Sequence, residues 1–407
     1  MNAPLPSVRF LDRRTAPHVG TLVAMTGLSA LTMSVFLPSL PRMAAWFQTD
    51  YAFMQLSVAL YLAMNAVLQV LVGPISDALG RRPVLIWGFA IFLVATLGCI
   101  FAPTAGIFLA FRMLQAVIVV AMALSRAIVR DMYDQSQSAS VLGYVTMGTA
   151  VVPMIGPAIG GWLDQHFGWQ ASFWLLFVAG IGVLALIWAD VGETATSRGR
   201  PFRDQVREYP ELLRSPRFWG YSMAAACASG AFFAYLGGAP FVGSTIYGLD
   251  PGQLGLYFGA PAIGYFAGNF LSGRYSVRVG VDRMILWGTL LITLGMGLLL
   301  AVFALGHGSA EAFFGFMVFV GLGNGMTIPN ATAGMLSVRP SLAGTASGLG
   351  GVLMIGGGAA LSVLAGHLLS TESGAMPLIW IMFLSGVAAI LSVLFVMARA
   401  RSLARRT

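Results

Sequence analysis

The sequence predicts an all-α integral membrane protein, with twelve transmembrane helices in two six-helix, pseudo-symmetric bundles. Three observations carry that prediction. About twelve apolar stretches of roughly 18–25 residues divide the chain, each long enough to cross a hydrocarbon core of ~30 Å at 1.5 Å per residue. All but two of the 23 basic residues fall in the gaps that alternate threading assigns to one face. The two halves of the chain also share a pattern at one fixed offset.

In chain order the stretches are 19–38, 51–72, 84–102, 105–128, 141–162 and 170–189, then 219–240, 252–272, 284–305, 312–335, 343–368 and 376–396. With both termini inside, the inner face takes Arg9, Arg13 and Arg14, then Arg81 and Arg82, then Arg126 and Arg130. Arg198, Arg200, Arg203, Arg207, Arg214 and Arg217 follow in the longest polar interval. Arg274, Arg278, Arg283, Arg339, Arg399, Arg401, Arg405 and Arg406 complete the set. Arg42 falls outside, and Arg112 lies within the fourth stretch. The polar interval divides the stretches six and six, so the expected units are residues 1–189, a cytoplasmic linker 190–217, and residues 218–407.

Composition narrows the function classes. Charged residues are 9% of the chain, against ~25% in an ordinary globular domain. The net charge of +8 sits between apolar stretches rather than on one soluble face, so it reads as topology and no nucleic-acid partner is expected. The chain has no lysine, which removes a P-loop, a Schiff base and a Ser-x-x-Lys nucleophile. His18, His166, His307 and His367 are scattered at stretch ends without ligand-like spacing, and no metal or cofactor is expected. Cys99 and Cys227 lie inside apolar stretches, which argues against a disulfide. Gly321-Leu-Gly323-Asn-Gly325 follows no strand, and helix packing accounts for it better than a dinucleotide loop. Met1–Gly20 carries prolines and three arginines before a full-length stretch, so no cleavable signal is expected there.

The internal repeat appears at an offset of 200 residues. Gly73, Ser76 and Gly80 recur as Gly273, Ser276 and Gly280, and Trp87-Gly88 recurs as Trp287-Gly288. Val152, Met154, Ile155 and Gly156 recur as Val352, Met354, Ile355 and Gly356. Parallel repeats related by an axis along the membrane normal are one arrangement used by secondary transporters.

Local motifs then point to a family. Gly73-Pro-Ile-Ser-Asp77-Ala-Leu-Gly80-Arg81-Arg82-Pro83 resembles the signature loop of the major facilitator superfamily, with Ala78 in place of a usual arginine. Arg112-Met-Leu-Gln115 resembles that superfamily's fourth-helix arginine motif. Pro153-Met-Ile-Gly156-Pro157-Ala-Ile-Gly160-Gly161 is similar to the glycine-proline motif of its drug exporters. Leu37-Pro38-Ser-Leu-Pro41 and Ser125-Arg126-Ala-Ile-Val-Arg130-Asp131 narrow the resemblance to the Bcr/CflA-type multidrug efflux group.

That resemblance implies a bacterial inner-membrane exporter of small, partly apolar drugs or metabolites. It implies alternating access, exchange for protons, and both termini in the cytoplasm. The expected partners are a small solute, protons and the lipid bilayer, and the expected state is a monomer. An importer or uncoupled facilitator of the same fold is the alternative, and a membrane enzyme or receptor a third class. An enzyme would need clustered acids, histidines or a nucleophile, and none is evident in the sequence.

Arg112 is the first candidate for substrate binding or coupling. A charge within an apolar stretch costs at least ~2.5–3.5 kcal/mol and should face the bundle interior. Further candidates are Met33, Ser34 and Phe36 on the first stretch, Gln55, Tyr61, Asn65 and Gln69 on the second, and Tyr144 on the fifth. Tyr235, Asn269 and Asn324 come from the second half. A cytoplasmic latch favouring the outward-facing state is expected of Gly73, Asp77, Gly80, Arg81, Arg82, Arg126, Arg130 and Asp131. An interface motif is expected of Pro153, Gly156, Pro157, Gly160 and Gly161, packing against the other half with Gly356-Gly357-Gly358 as counterpart. The efflux group typically carries an aspartate in helix one just before Leu-Pro. This chain has Ser34 there. Asp50, Asp77, Asp131 and His367 remain as titratable alternatives.

Overall fold

The computed structural model describes residues 8–132, 145, 152, 155–194, 210, 212–339 and 343–404. Among these residues the regular structure is helical throughout. In the first half, α1 is Val19–Ser34, α2 Leu40–Trp46, α3 Tyr51–Leu79, α4 Arg81–Ile100, α5 Ala105–Gln115 and α6 Val119–Met132. A helix described over residues 155–167, α7, and α8 (Gln170–Asp190) complete that half. In the second half, α9 is Pro216–Phe241, α10 Pro251–Tyr257, α11 Ala260–Val279, α12 Val281–Ala304, α13 Ala310–Ser337, α14 Ala343–Leu368 and α15 Met376–Ala404.

Among the described residues, ten helical segments are long and apolar enough to cross a membrane. The fifth expected stretch, 141–162, lies mostly outside the described residues. The eighth, 252–272, is divided at Phe258–Gly259 into α10 and α11. Pro261 sits at the start of α11, has no N–H to continue the ladder, and disfavours helix in the residue before it. The first stretch runs further than expected: a short 3-10 turn, Leu37–Ser39, carries the chain from α1 into α2, ending at Trp46.

Large apolar side chains point outward along the spans, among them Trp87, Val94, Val178, Phe266, Trp287 and Leu391. In water such a surface would be a liability. Around a bundle of spanning helices it is the lipid face. Phe36, Phe89, Phe92, Phe108 and Phe173 pack inside the first half, and Tyr235, Phe313 and Phe314 inside the second. Where lipid supplies no hydrophobic drive, close backbone approach takes over. At the α11–α13 contact a Cβ on Gly321 would lie 1.6 Å from the Pro261 carbonyl oxygen, so a larger residue would part the helices.

The halves meet mostly at the end remote from the chain termini. There the Tyr51 hydroxyl donates to the Gly237 carbonyl at 2.7 Å, and Gln55 Nε2 donates to the Ser362 carbonyl at 2.7 Å. Gly161 on α7 approaches the Pro251 carbonyl of α10, and Gly255 of α10 approaches the Pro157 carbonyl of α7. This far end is closed.

Candidate functional site

Arg112 lies on α5, which Thr104 caps by accepting from the Ile107 N–H. Its guanidinium is 1% exposed, so every polar atom of it needs a partner inside the protein. Nη2 donates to the Thr32 carbonyl at 2.9 Å, near the end of α1 where final-turn carbonyls lack intrahelical donors. Nη1 donates to Gln115 Oε1, and Gln115 Nε2 in turn donates to Thr96 Oγ1 at 2.8 Å. The guanidinium carbon stands 4.2 Å from the Phe36 ring centre and 4.1 Å from that of Tyr61. Two aromatic faces thus sandwich the charge, an arrangement worth ~2 kcal/mol or more when desolvated. Among the described residues no carboxylate pairs with Arg112, and its Nε has no hydrogen-bond partner. The site is a buried cation held by π faces and neutral oxygens, with Nε unpartnered.

The other expected residues separate into groups. Phe36 and Tyr61 belong to the Arg112 sandwich, and Asn65, one turn along α3, accepts from Gln69 Nε2 at 2.9 Å. Ser34 is buried, with Oγ donating to the Ala30 carbonyl at 3.3 Å. A Cβ on Gly156 would lie 2.6 Å from that Oγ, so α7 leaves no room for a carboxylate at residue 34. Met33 is partly buried. Gln55 is held at the closed end: a Cβ on Gly366 or Gly237 would come within 2.1 or 2.4 Å of its amide. Tyr235 lies in a second-half aromatic cluster, its ring centre 5.1 Å from that of Phe258. Asn269 donates to Tyr265 of its own helix at 2.8 Å, and Asn324 is buried with Oδ1 unpartnered. Tyr144 and Pro153 lie outside the described residues. Tyr51 and Asn330 were missed by the sequence reading; Asn330 Nδ2 donates to Ser272 Oγ at 2.8 Å, joining α13 to α11.

The glycine-proline run packs within its own half and against the other. Gly156 and Gly160 abut Ser34 and the Val35 carbonyl within the first half, and Gly161 abuts Pro251 of the second. Gly358 packs on Phe233 of α9, and α14 meets α3 through Gln55 and Gln69. Contacts between the halves thus join α7 to α10, and α3 to α14.

The charged loop lies at the opposite end. Asp77 pairs with Arg81 one helical turn on, and Arg81 Nε also reaches Asp131 Oδ2 at 3.2 Å. Arg81 donates to Ser76 Oγ as well. Arg82 turns away, donating from Nε to the Val191 carbonyl at 2.9 Å and from Nη2 to the Trp188 carbonyl at 3.2 Å. Glu193 was missed: its Oε1 accepts from the Arg81 N–H at 2.9 Å and its Oε2 from the Arg82 N–H at 3.3 Å. It caps α4 where the helix presents free donors and positive dipole. Arg126 is exposed on α6, and the Arg130 side chain lies outside the described residues. Gly80 makes the tight turn, and a Cβ on Gly73 would meet nothing within 4 Å.

These features define a multi-pass helical membrane protein with a buried cation in one half, unpaired with any carboxylate among the described residues, and a charged loop at one end. The profile of the Major Facilitator Superfamily matches residues 22–250 and 239–406, and the chain belongs to that superfamily. Its relatives include the chloramphenicol resistance protein of Pseudomonas aeruginosa, 32% identical over 80% of this chain and 79% of that one. The uncharacterized MFS-type transporter YdgK of Bacillus subtilis (strain 168) is 29% identical over 88% and 90%. Multidrug resistance protein D of Escherichia coli (strain K12) is 27% identical over 88% and 90%. Within the superfamily the chain is of the Bcr/CflA efflux type. Two solved structures share its fold at 17% identity. One is a bacterial homolog of the human lysosomal transporter Spinster, inward-facing and occupied (TM-score 0.73, 94% of this chain and 96% of that one). The other is a D-xylose-proton symporter (TM-score 0.74, 93% and 96%).

Proposed function

We propose that this protein exports small, partly apolar drugs or metabolites by alternating access between two six-helix bundles, residues 1–189 and 218–407, in exchange for protons. In this reading twelve helices cross a bacterial inner membrane with both termini cytoplasmic, and the closed far end faces outward. The names of the relatives support drug efflux, and the distribution of arginines supports the orientation.

The observation that carries the proposal is Arg112. A cation buried between Phe36 and Tyr61 with no acid beside it and Nε unused has the chemistry to attract a polar oxygen on an otherwise apolar solute. Aromatic walls suit the remainder of such a molecule. Entry of a solute from the cytoplasmic side would require Phe36 or Tyr61 to rotate, since both now cover the guanidinium. The Asp77–Arg81–Asp131 network, confined to the first half, acts as the inner latch.

Arg112→Ala should abolish drug efflux from loaded cells while protein abundance in the membrane stays normal. Arg112→Lys should restore the charge without the planar stacking surface and recover part of the activity. Full efflux by Arg112→Ala would remove this reading. In inverted vesicles carrying a pH-sensitive dye, dequenching on drug addition tests proton exchange. Drug accumulation in energised whole cells would instead favour the importer.

A further inference from the structure

Two acids among the described residues are completely buried, and their surroundings differ. Asp190, at the end of α8, accepts the Leu11 N–H at 2.7 Å and the His18 N–H at 2.9 Å, one on each oxygen. Each oxygen of that carboxyl is thus met by a backbone N–H. Asp164, on α7 beyond the fifth apolar stretch, has no equivalent. Arg42 Nη1 donates to its backbone carbonyl at 2.8 Å but stands 3.5 Å from Oδ1. Oδ2 has no hydrogen-bond partner, although the Ser39 hydroxyl, also unpartnered, lies against the carboxyl.

The position of this half-satisfied acid matters. Ser39 belongs to the Leu37–Ser39 turn, which touches α9 and α10 of the second half. Gly161, one turn before Asp164, abuts the Pro251 carbonyl. The carboxyl therefore sits beneath the surfaces that close the far end. We propose that Asp164 is a proton-binding site whose protonation stabilises the closed outer end and whose ionisation favours its opening.

The physical reason is desolvation. A charged carboxylate is costly when buried without full hydrogen bonding, whereas a protonated one can donate to Ser39 Oγ. Burial holds the Asp164 carboxyl above its ordinary pKa, and the half-exposed Arg42 and the Ser39 hydroxyl oppose this without cancelling it. Of the charged groups on adjoining elements, Arg42 on α2 faces the carboxyl. His166 of α7 is exposed and bonded to the Trp162 carbonyl at 2.8 Å, Asp250 is occupied in capping α10, and Asp50 is an exposed residue at the start of α3. A group that binds protons more tightly in the closed form shifts the population toward closure as pH falls. Each tenfold difference in proton affinity changes the closed-to-open ratio up to tenfold.

This inference rests on the outward orientation of the closed end given above. The test is a distance measurement between spin labels at Gln48→Cys and Thr371→Cys, in protein with Cys99 and Cys227 replaced by alanine, reconstituted in lipid nanodiscs. Between about pH 8 and about pH 5 the short-distance population of the parent protein should rise several-fold. Asp164→Asn should hold that population high at every pH, and Asp164→Glu should keep the response. Arg42→Gln, which removes the opposing cation, should move the midpoint to higher pH and serves if Asp164→Asn does not fold. A pH-independent parent, an unchanged response in Asp164→Asn, or an unmoved midpoint in Arg42→Gln would each overturn the proposal. Absence of drug-driven proton movement in vesicles, with the pH response intact, would instead overturn proton exchange and leave the Asp164 site standing.

Discussion

The same helix–turn–helix occurs twice, once as α3–Gly80–α4 and once as α11–Gly280–α12. Gly80 has φ 95° and ψ 151°, and Gly280 has φ 90° and ψ 149°. The Gly80 N–H donates to the Ser76 carbonyl at 3.0 Å, and the Gly280 N–H to the Ser276 carbonyl at 2.9 Å. The backbone repeats because the residues that dictate it repeat. The side-chain chemistry does not. Asp77 and Arg81 become Val277 and Val281, and Val277 is 96% exposed. Where the first turn gathers Asp77, Arg81, Asp131 and Glu193, the second has Asp282 accepting from the Tyr221 hydroxyl at 2.7 Å. One loop carries a charge network, and its copy keeps the geometry alone.

Five substitutions sharpen that contrast. The largest effect is expected at Gly80. Its backbone lies in a region closed to side chains, costing ~1–3 kcal/mol for any other residue. A Cβ there would also come 2.4 Å from Glu193 Oε2, displacing the cap of α4. Gly280→Ala bears the same backbone strain, but its Cβ would meet nothing within 4 Å. Thermal unfolding in detergent should therefore show Gly80→Ala losing clearly more stability than Gly280→Ala. Equal losses would mean the Glu193 contact contributes nothing.

Asp77→Asn comes next. It breaks a partly exposed pair worth ~0–1 kcal/mol, so folding should barely change while drug efflux falls sharply. Val277→Asp, placing an acid in the copied turn, should leave efflux near the parent level. Full activity in Asp77→Asn would make the first loop as inert as the second.

The smallest effect is expected from Glu193→Gln. The amide oxygen can still accept from one backbone N–H, but the favourable interaction of a carboxylate with the start of α4, ~0.3–1 kcal/mol, is lost. A small drop in melting temperature that shrinks further at high salt would identify this electrostatic part.

Much of the architecture was legible from length and charge. An apolar stretch of twenty residues has few options in water, and arginines on alternate gaps orient it. Arg112 stood out for the same reason, a lone charge where charge is expensive. Its partners were legible in part: Phe36 and Tyr61 were candidates by type, while the roles of Thr32 and Thr96 emerged from the folded chain. The break at Phe258–Gly259 was signalled by Pro261, yet apolar length concealed it. Gln55 was expected to face a solute and is instead engaged by Ser362, 307 residues away.

What the sequence determined alone was local or statistical: helix lengths, the repeated glycine turn, and the cost of burying Arg112. Each depends on short spacing or on partition between lipid and water. Tertiary structure decided which groups share an environment. Glu193 reaches Arg81 across 112 positions, and Arg42 reaches Asp164 across 122. Whether a buried carboxyl meets two amide hydrogens, as Asp190 does, or a guanidinium at 3.5 Å with one oxygen unpartnered, as Asp164 does, is set by how helices far apart in the chain come to rest against one another.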